Sequence, residues 1–543
     1  MNHDHDTNAS GSESLKRHSS YRWMLLLLGV VAGIWFFTRF GSAAGTLISE
    51  VKKLTAVMSL INNEYVDKPD LGKLTEGAIE GMLKRLDPHS VYIPAVEQKD
   101  ITEKDQGEFQ GIGISFIIQN ELITVIAPIP GTPADRLGIR SGDRIVEIDG
   151  VSAFGITNDE VFKKLRGPKG TTVKVTVIRD GVDAPLAFDI IRDTIPIHSV
   201  WTSFMLDDST GYVLINQFTA NTTVELMGAL RRLNGQGMTR LLLDLRNNQG
   251  GRLNEAVSVA DLFLPGGCAI VSRKGRHSED DTTYFASDND GCNWCSLIVL
   301  INGGSASASE IVAGAMQDLD RGLIVGENSF GKGLVQLPYQ LEGGAVIRLS
   351  TAHWLTPSGR LVQRPYDKGR GEYYANRYRD PDSTKVDSLR EAFKTKGGRT
   401  VYASAGIDPD VKVEEQTITG ATARLINAQI PFQYASKLVQ EYKLTSADDF
   451  KRFRDKFQVT EKDLKGLLDL AKEKKAEVAP EAWDRDRGYV ASLLKSEIAQ
   501  MVWNNRDYYY LIRSDSDPVV KKARDLFGQA RMVAGIWLSA RKG

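Results

Sequence analysis

The chain has 543 residues, 42% hydrophobic and 25% charged, with 68 Lys and Arg against 69 Asp and Glu. That length predicts about three or four domains rather than one core, and the composition excludes a chain disordered throughout. The net charge of −1 disfavours a dedicated nucleic-acid binder, and three cysteines exclude a disulfide-built scaffold.

The first apolar run is Trp23 to Phe37, preceded by Lys16, Arg17 and His18 and closed by Arg39. It is short for a membrane span, which needs about 20 residues. It fits the apolar part of a signal peptide, with Ser42-Ala43-Ala44 as small residues where a peptidase could cut. A retained anchor of the same orientation is the competing reading. Either one predicts export to the cell envelope: periplasmic, or anchored in the inner membrane and facing the periplasm.

Val51, Leu54, Met58, Ile61 and Tyr65 recur at helical spacing, and Leu74, Ala78 and Met82 continue in a second helix ended by Asp87-Pro88. Residues 107–192 are different: β-branched, punctuated by glycine, with one helix from Asn158 to about Leu165. They predict a small β-rich module. From 211 to about 365, strands alternate with helices. Leu241 to Leu245 and Leu297 to Ile301 are near-continuous apolar runs, as in strands buried on both faces. Residues 366–400 are polar and rich in Arg, Asp and Tyr, which reads as an exposed insertion or long loop. From 421 the pattern is helical. Phe432, Ala435 and Val439 share one face, and Ser446 with Asp449 suggests a capping box for a second helix.

Three strand-end segments carry the chemistry. Asn302-Gly303-Gly304-Ser305-Ala306-Ser307-Ala308-Ser309-Glu310 follows a buried strand and opens a helix. Hydroxyls and free N–H groups gather there, in a place that favours negative charge; the bland reading is a helix cap. Gly326 to Gly333 nearly reads as a phosphate loop, but Gly333 stands where Ser or Thr must be and a strand pattern follows it. Its Lys332 has another use, as a base if burial keeps it neutral. Strand alternation places Gln336 on the same face, against the alternative of a solvated Lys and Gln. Asp244 to Gly251 is a third turn, whose glycines free backbone N–H groups or simply reverse the chain.

In this order, the three segments resemble the carboxyl-terminal processing, or tail-specific, proteases. The resemblance implies a multidomain α+β protein: a crotonase-like α/β protease core with an inserted β-rich PDZ domain and helical N- and C-terminal parts. It implies Ser307 as nucleophile, Lys332 as base, Gln336 as the residue orienting the lysine, and the N–H groups of Gly251 and Ala308 as the oxyanion hole. Gln249 departs from the family, which usually has Pro there. Leu86-Asp87-Pro88-His89-Ser90, Gly107 to Gly113, Gly131-Thr132-Pro133-Ala134 and Gly142-Asp143-Arg144-Ile145 match the family around its PDZ domain. In that domain Gly111, Ile112, Gly113 and Ile114 would capture a terminal carboxylate, with Val161 and Leu165 lining the groove.

The implied domains are 1–44 signal peptide or anchor, 45–106 helical, 107–192 PDZ, 193–420 protease core and 421–543 helical extension. The function implied is an exported serine endopeptidase cleaving proteins near their C-termini. A catalytically silent PDZ scaffold is the alternative, and a crotonase-type coenzyme-A enzyme is disfavoured by the inserted module. No metal or organic cofactor is expected. Expected partners are protein substrates with accessible C-terminal tails, an adaptor or regulatory protein, a second copy of the chain and, if the apolar segment is retained, the membrane. His353 supports a competing Ser-His-Asp mechanism. Cys268, Cys292 and Cys295, with His277 among them, leave a local disulfide, free thiols and a zinc set open.

Overall fold

The computed structural model describes residues 46–288, 291–375, 390–403 and 405–541. The apolar segment Trp23–Phe37 lies outside them. No helix among the described residues is long and apolar enough to cross a membrane. The chain divides after Arg85 into two compact units, so the helical region expected over 45–106 is shared between them. The first unit holds a helix over 46–64 and a second, Leu71–Leu83, whose start is capped by Asp70 accepting from the Lys73 N–H.

The second unit, from Leu86 onward, is organised by a sheet of six strands. Val200–Asp207 runs antiparallel to Thr210–Ile215; Arg240–Asp244, Ser296–Ile301, Leu323–Gly326 and Val411–Lys412 then follow in parallel. A parallel sheet must be covered on both faces. The first face is covered by helices Thr222–Gly235, Leu253–Asp261 and Ala308–Asp318, around Leu241, Leu243, Val299 and Ile311. The second face presents Leu242, Ile298, Leu300 and Val325 to Leu511, Val519, Val520, Ala523, Phe527 and Ala530. The end of the C-terminal extension therefore completes the core of this sheet. Its earlier helices, Gly420–Asn427 through Pro480–Trp503, form a bundle with a core of their own around Leu467, Leu494 and Ile498.

A second sheet, of five strands, carries the hairpin Leu334–Gln340 and Val346–Leu355, with Val91–Ile93 against its long strand. The β-rich module hangs from a two-strand stem. Glu108–Gly111 pairs antiparallel with Asp193–Pro196, so incoming and outgoing chain lie side by side, as an insertion requires. Its own sheet wraps the core of Ile123, Ile145, Val175 and Ile190, and its helix Asn158–Leu165 starts on a Thr157/Glu160 capping box.

Two local expectations are corrected. Residues 366–400 are not simply an exposed loop: Arg370–Ala375 is a helix whose Tyr373 is buried, and Ala392–Lys394 pairs with Thr400–Tyr402. Residues 376–389 lie outside the described residues. Asp449, rather than Ser446, caps the helix Phe450–Lys456, because its carboxylate accepts from the Arg452 N–H.

The second face predicts a stability effect far from any functional residue. Phe527 keeps 2% of its surface and seals that face. Phe527→Ala should cost about 3–5 kcal/mol of folding stability. A urea unfolding midpoint of the full chain that does not move would show that the C-terminal helices are not part of the core.

Candidate active site

The site is built where two strands of the parallel sheet end. Strand Ser296–Ile301 ends at Asn302, and the turn after it climbs into helix Ala308–Asp318. Strand Arg240–Asp244 ends beside it, and its turn reaches Gly251. The two turns are laced together. The Asn302 Oδ1 accepts from the Asn247 and Gly304 N–H groups at 2.8 and 2.9 Å. The Asn248 carbonyl accepts from the Ala306 N–H at 3.0 Å and the Ser309 hydroxyl at 2.8 Å. The Asn248 side chain in turn accepts from the Gly250 N–H. Gln249, the departure from the family pattern, is exposed, and the turn holds without a proline.

The three serines of the first turn separate on this geometry. Ser305 donates to the Leu245 carbonyl and Ser309 to the Asn248 carbonyl, both at 2.8 Å, and both are fully buried. Ser307 retains solvent access. Its backbone sits at φ 55°, ψ −112°, a conformation that non-glycine residues rarely adopt. Such strain persists only where the surroundings enforce it.

The enforcing group is Glu310, which sequence reasoning took only as the end of the motif. Its carboxylate is buried and takes four donors: the Ser307 N–H at 2.7 Å, the Ser329 hydroxyl and the Gly331 N–H at 2.6 Å each, and the Lys332 N–H at 2.9 Å. One carboxylate oxygen is shared by Ser307 and Lys332, so their backbone nitrogens lie within two hydrogen bonds of each other. Burial pushes the Glu310 carboxyl up, and its four donors pull against that.

Lys332 is mostly buried. Burial, helped by the Arg348 charge and opposed by Glu310 and Asp87, pushes its ammonium down to about 8. Among the described residues, no hydrogen bond or ion pair engages its Nζ, and none joins it to Ser307 or to Gln336. The expected shared face of Lys332 and Gln336 does not arise from strand alternation. Lys332 precedes the strand Leu334–Gln340, so alternation within that strand does not extend to it. Gln336 instead donates through Nε2 to the His89 carbonyl at 2.5 Å. The turn that carries this carbonyl is fixed by Asp87, which accepts from the His89 N–H, the Ser90 N–H and hydroxyl, and the Ser350 hydroxyl.

The N–H groups of Gly251 and Ala308 make no hydrogen bond among the described residues. Ala308 opens the helix, where free N–H groups favour negative charge. Gly251 is pressed against the backbone of Phe218, and a Cβ there would lie 2.1 Å from the Phe218 carbonyl oxygen. Gly250 is as tightly placed: its Cβ would meet the Ala308 N and the Ser307 Cβ at 2.9 Å.

His353 stands exposed on its strand, paired through the backbone with Leu334 and Lys274. The histidine near the lysine is His89, which was not anticipated. Its ring meets the Tyr373 hydroxyl at 2.6 Å, and burial, with the Lys332 charge, holds it down to about 4. Cys268, Cys292 and Cys295 are all buried free thiols, and the Cys292 thiol donates to the Cys295 Sγ at 2.7 Å rather than forming a disulfide. No group of three or more metal-ligating side chains occurs among the described residues.

In the inserted module, Gly111, Ile112 and Gly113 are buried and Ile114 is half-buried. The N–H groups of Ile112 and Gly113 carry no hydrogen bond among the described residues. Among the described residues, strand Ile114–Gln119 pairs only with Leu122–Pro128, leaving an open edge. Val161 and Leu165, expected on the groove wall, share the helix face that is sealed in the module's core. The side chain presented outward is Phe162, whose ring meets that of Phe116 on the edge strand at 5.5 Å.

Comparison with known proteins places these features. Residues 209–367 match peptidase family S41, residues 124–179 a PDZ domain, residues 38–96 the activating protease CtpB N-terminal domain, and residues 422–504 a family of unknown function. The chain is 44% identical over 311 residues to the carboxy-terminal-processing protease of Bartonella bacilliformis, covering 56% of this chain and 71% of that one. It is 36% identical over 369 residues to a probable CtpA-like serine protease of Staphylococcus haemolyticus, covering 65% of this chain and 73% of that one. A solved photosystem II D1 C-terminal processing protease is 26% identical, with a TM-score of 0.35 over 66% of this chain and 86% of that one.

Two outcomes test the geometry. Acylation of Ser307 by a serine-directed reagent should rise with pH through about 8, since Lys332 accepts a proton only when neutral and is charged below that value. Lys332→Arg should abolish the reactivity, because a guanidinium keeps its proton. A rise through about 4 would assign the base to His89 instead. Separately, Glu310→Gln sets an amide NH₂ against converging donors. It should lower the labelling rate by about a hundredfold and stability by about 2 kcal/mol; an unchanged rate would mean that Glu310 does not set the turn.

Proposed function

The chain belongs to the carboxy-terminal-processing protease family, and from that membership we propose that Ser307 and Lys332 are its catalytic dyad. It is a serine-type protease that cleaves proteins near their C-termini; a silent tail-binding scaffold is not favoured. The observation that carries the residue assignment is the double hold of Glu310 on the Ser307 turn and the Lys332 segment. Neutral Lys332 takes the hydroxyl proton of Ser307 as the oxygen attacks the scissile carbonyl. The N–H groups of Gly251 and Ala308 stabilise the oxyanion. The ammonium then protonates the leaving amine, and water, deprotonated by the same lysine, releases the acyl group. Gln336, fixed through Nε2 by His89, is assigned the orienting role, with its amide oxygen as acceptor for the lysine amine.

The parallel sheet, with its site at the strand ends, is read as a crotonase-like core. The PDZ domain is assigned the tail: the Ile112 and Gly113 N–H groups receive the terminal carboxylate, and the peptide adds to the edge strand Ile114–Gln119. The basic-flanked segment Trp23–Phe37 supports a cell-envelope enzyme, periplasmic or anchored in the inner membrane and facing the periplasm. A regulatory protein and self-association are compatible with this organisation.

The test is a folded substrate carrying an unstructured tail, with new C-termini mapped by mass spectrometry. Cleavage within the tail, absent in Ser307→Ala, is expected; cleavage that survives in Ser307→Ala moves the nucleophile elsewhere. Amidating the tail should slow the wild type, since a carboxylate held by N–H groups gains charge-assisted bonds. It should not slow Gly113→Val. At φ 83° a Cβ would lie 2.3 Å from the Thr132 hydroxyl, so the carboxylate loop must deform. Equal sensitivity in both enzymes would leave the module as a gate or spacer.

A further inference from the structure

Beside the proposed dyad lies a cation that neither the mechanism nor the fold uses. Arg364 keeps only 9% of its surface. Its backbone N–H donates to the Gly331 carbonyl at 2.9 Å, which holds it against the lysine segment. Its guanidinium lies over the Phe330 ring, 5.2 Å from the centroid. That ring packs with Ala306, the residue before Ser307, and with Tyr373.

Among the described residues, two of the three nitrogens of the guanidinium are buried and unanswered. Its Nε and Nη1 are fully buried with no hydrogen-bond partner, and its Nη2 makes no bond among the described residues. The carboxylate whose charge it feels is Glu310, whose oxygens are already taken by four donors. The Tyr373 hydroxyl is taken by His89 and Gln363. Buried polar groups are almost always partnered, and a buried charge is normally paired. A ring face compensates for lost water only in part. Burial accordingly pushes the Arg364 guanidinium down from its ordinary range. Contrast Arg360, also buried, which pairs with Asp318 and Gln317.

We propose that Arg364 anchors a substrate carboxylate next to the scissile bond, its planar fork making the paired hydrogen bonds that the apoprotein leaves empty. This rests on the assignment of Ser307 and Lys332 as the dyad. The carboxylate has two sources: an Asp or Glu side chain flanking the cleaved bond, or the terminal carboxylate of a short tail. In either case the subsite adds a charge requirement at the chemistry, distinct from the remote reading of the tail by the PDZ module.

The test uses the full chain and neutral, internally quenched peptides. A carboxylate is scanned as Asp against Asn through the positions on both sides of the cleaved bond, and each peptide is made as free acid and as amide. The wild type should favour the carboxylate at one position, or at the free end, by about tenfold or more in kcat/KM. Arg364→Gln should bring that ratio to about one while cleaving the neutral amide within about threefold of wild type. Arg364→Lys, which keeps the charge but not the fork, should retain part of the preference. A side-chain preference and an end preference, each lost in Arg364→Gln, identify the source. The proposal is overturned by a wild type indifferent to charge in both arms, or by a preference that persists in Arg364→Gln. It is also overturned by equal loss on neutral and acidic peptides with an unchanged thermal midpoint. Cleavage of the neutral amide by Ser307→Ala would instead sink the dyad assignment, leaving the Arg364 ratio to be judged on its own.

Discussion

One buried carboxylate sets the geometry on which the catalytic proposal depends. Glu310 sits in the first turn of the helix that follows Ser307, yet three of its four hydrogen bonds come from Ser329, Gly331 and Lys332, in the segment that presents the lysine. A neutral side chain could not accept from four donors at once. The arrangement has two consequences. It holds Ser307 in a backbone conformation that would otherwise relax, and it fixes the spacing of two segments from different sheets. The charge itself is spent locally, on N–H and O–H dipoles, so it does not pin Lys332 as an ammonium by a direct ion pair.

The sheet beneath the site explains the rest of the architecture. Its central strands are apolar on both faces, which is why Leu241, Leu242 and Leu243 run together. Helix Ala308–Asp318 covers one face and so carries the Ser307 turn at its N-terminus. The other face is covered from Leu511 onward by the last helices of the chain. A buried ionic cluster ties these helices to the site. Arg246, between the strand end and Gly251, pairs with Asp244 and, at 2.8 Å, with Asp517, which also caps the following helix. Tyr212 donates to the same Asp244 at 2.6 Å. The C-terminal helices thus hold the base of the turn whose N–H groups are assigned to the oxyanion.

Much of this was legible in the sequence, for reasons that mark where legibility stops. Periodicity and composition located the β-rich module, the buried strands and the helical C-terminus, because burial on one or two faces writes itself into the spacing of apolar residues. Turn chemistry located the three strand ends. Periodicity did not reveal which helix covers which face: Phe527 reads the same whether it packs on its own bundle or on a sheet far away in the chain. Val161 and Leu165 carry the apolar signal of a helix face, and that signal marks the core rather than the groove. The parity argument linking Lys332 to Gln336 failed because the strand begins only at Leu334, and alternation does not extend to a lysine in the turn before it. Tyr373 lies in a segment too polar on average to suggest burial, although one tyrosine of it packs against Ala306 and Phe330. Glu310 stood in plain view, but its partners come from a segment about twenty residues on, and only the fold brings them together.

The balance of charge around the dyad follows from these placements. Lys332 faces Arg348, Glu310 and Asp87; burial, with Arg348 on its side, outweighs the two carboxylates. Glu310 is saturated by its four donors, and Asp87 is bound up with Ser90, His89 and Ser350. His89 is held neutral by burial and by the lysine charge. Arg364 adds a further cation, whose Nε and Nη1 have no hydrogen-bond partner among the described residues. Arg348 has a partner in Asp105 at 3.7 Å, and the group of this pocket that sheds a proton near neutral pH is Lys332. Neutralising the lysine removes its repulsion with Arg348, and a substrate carboxylate would supply Arg364 with a partner. Burial is the first cause that makes Lys332 a base, and the Arg348 charge that assists it is the part that would also favour the anion its action creates.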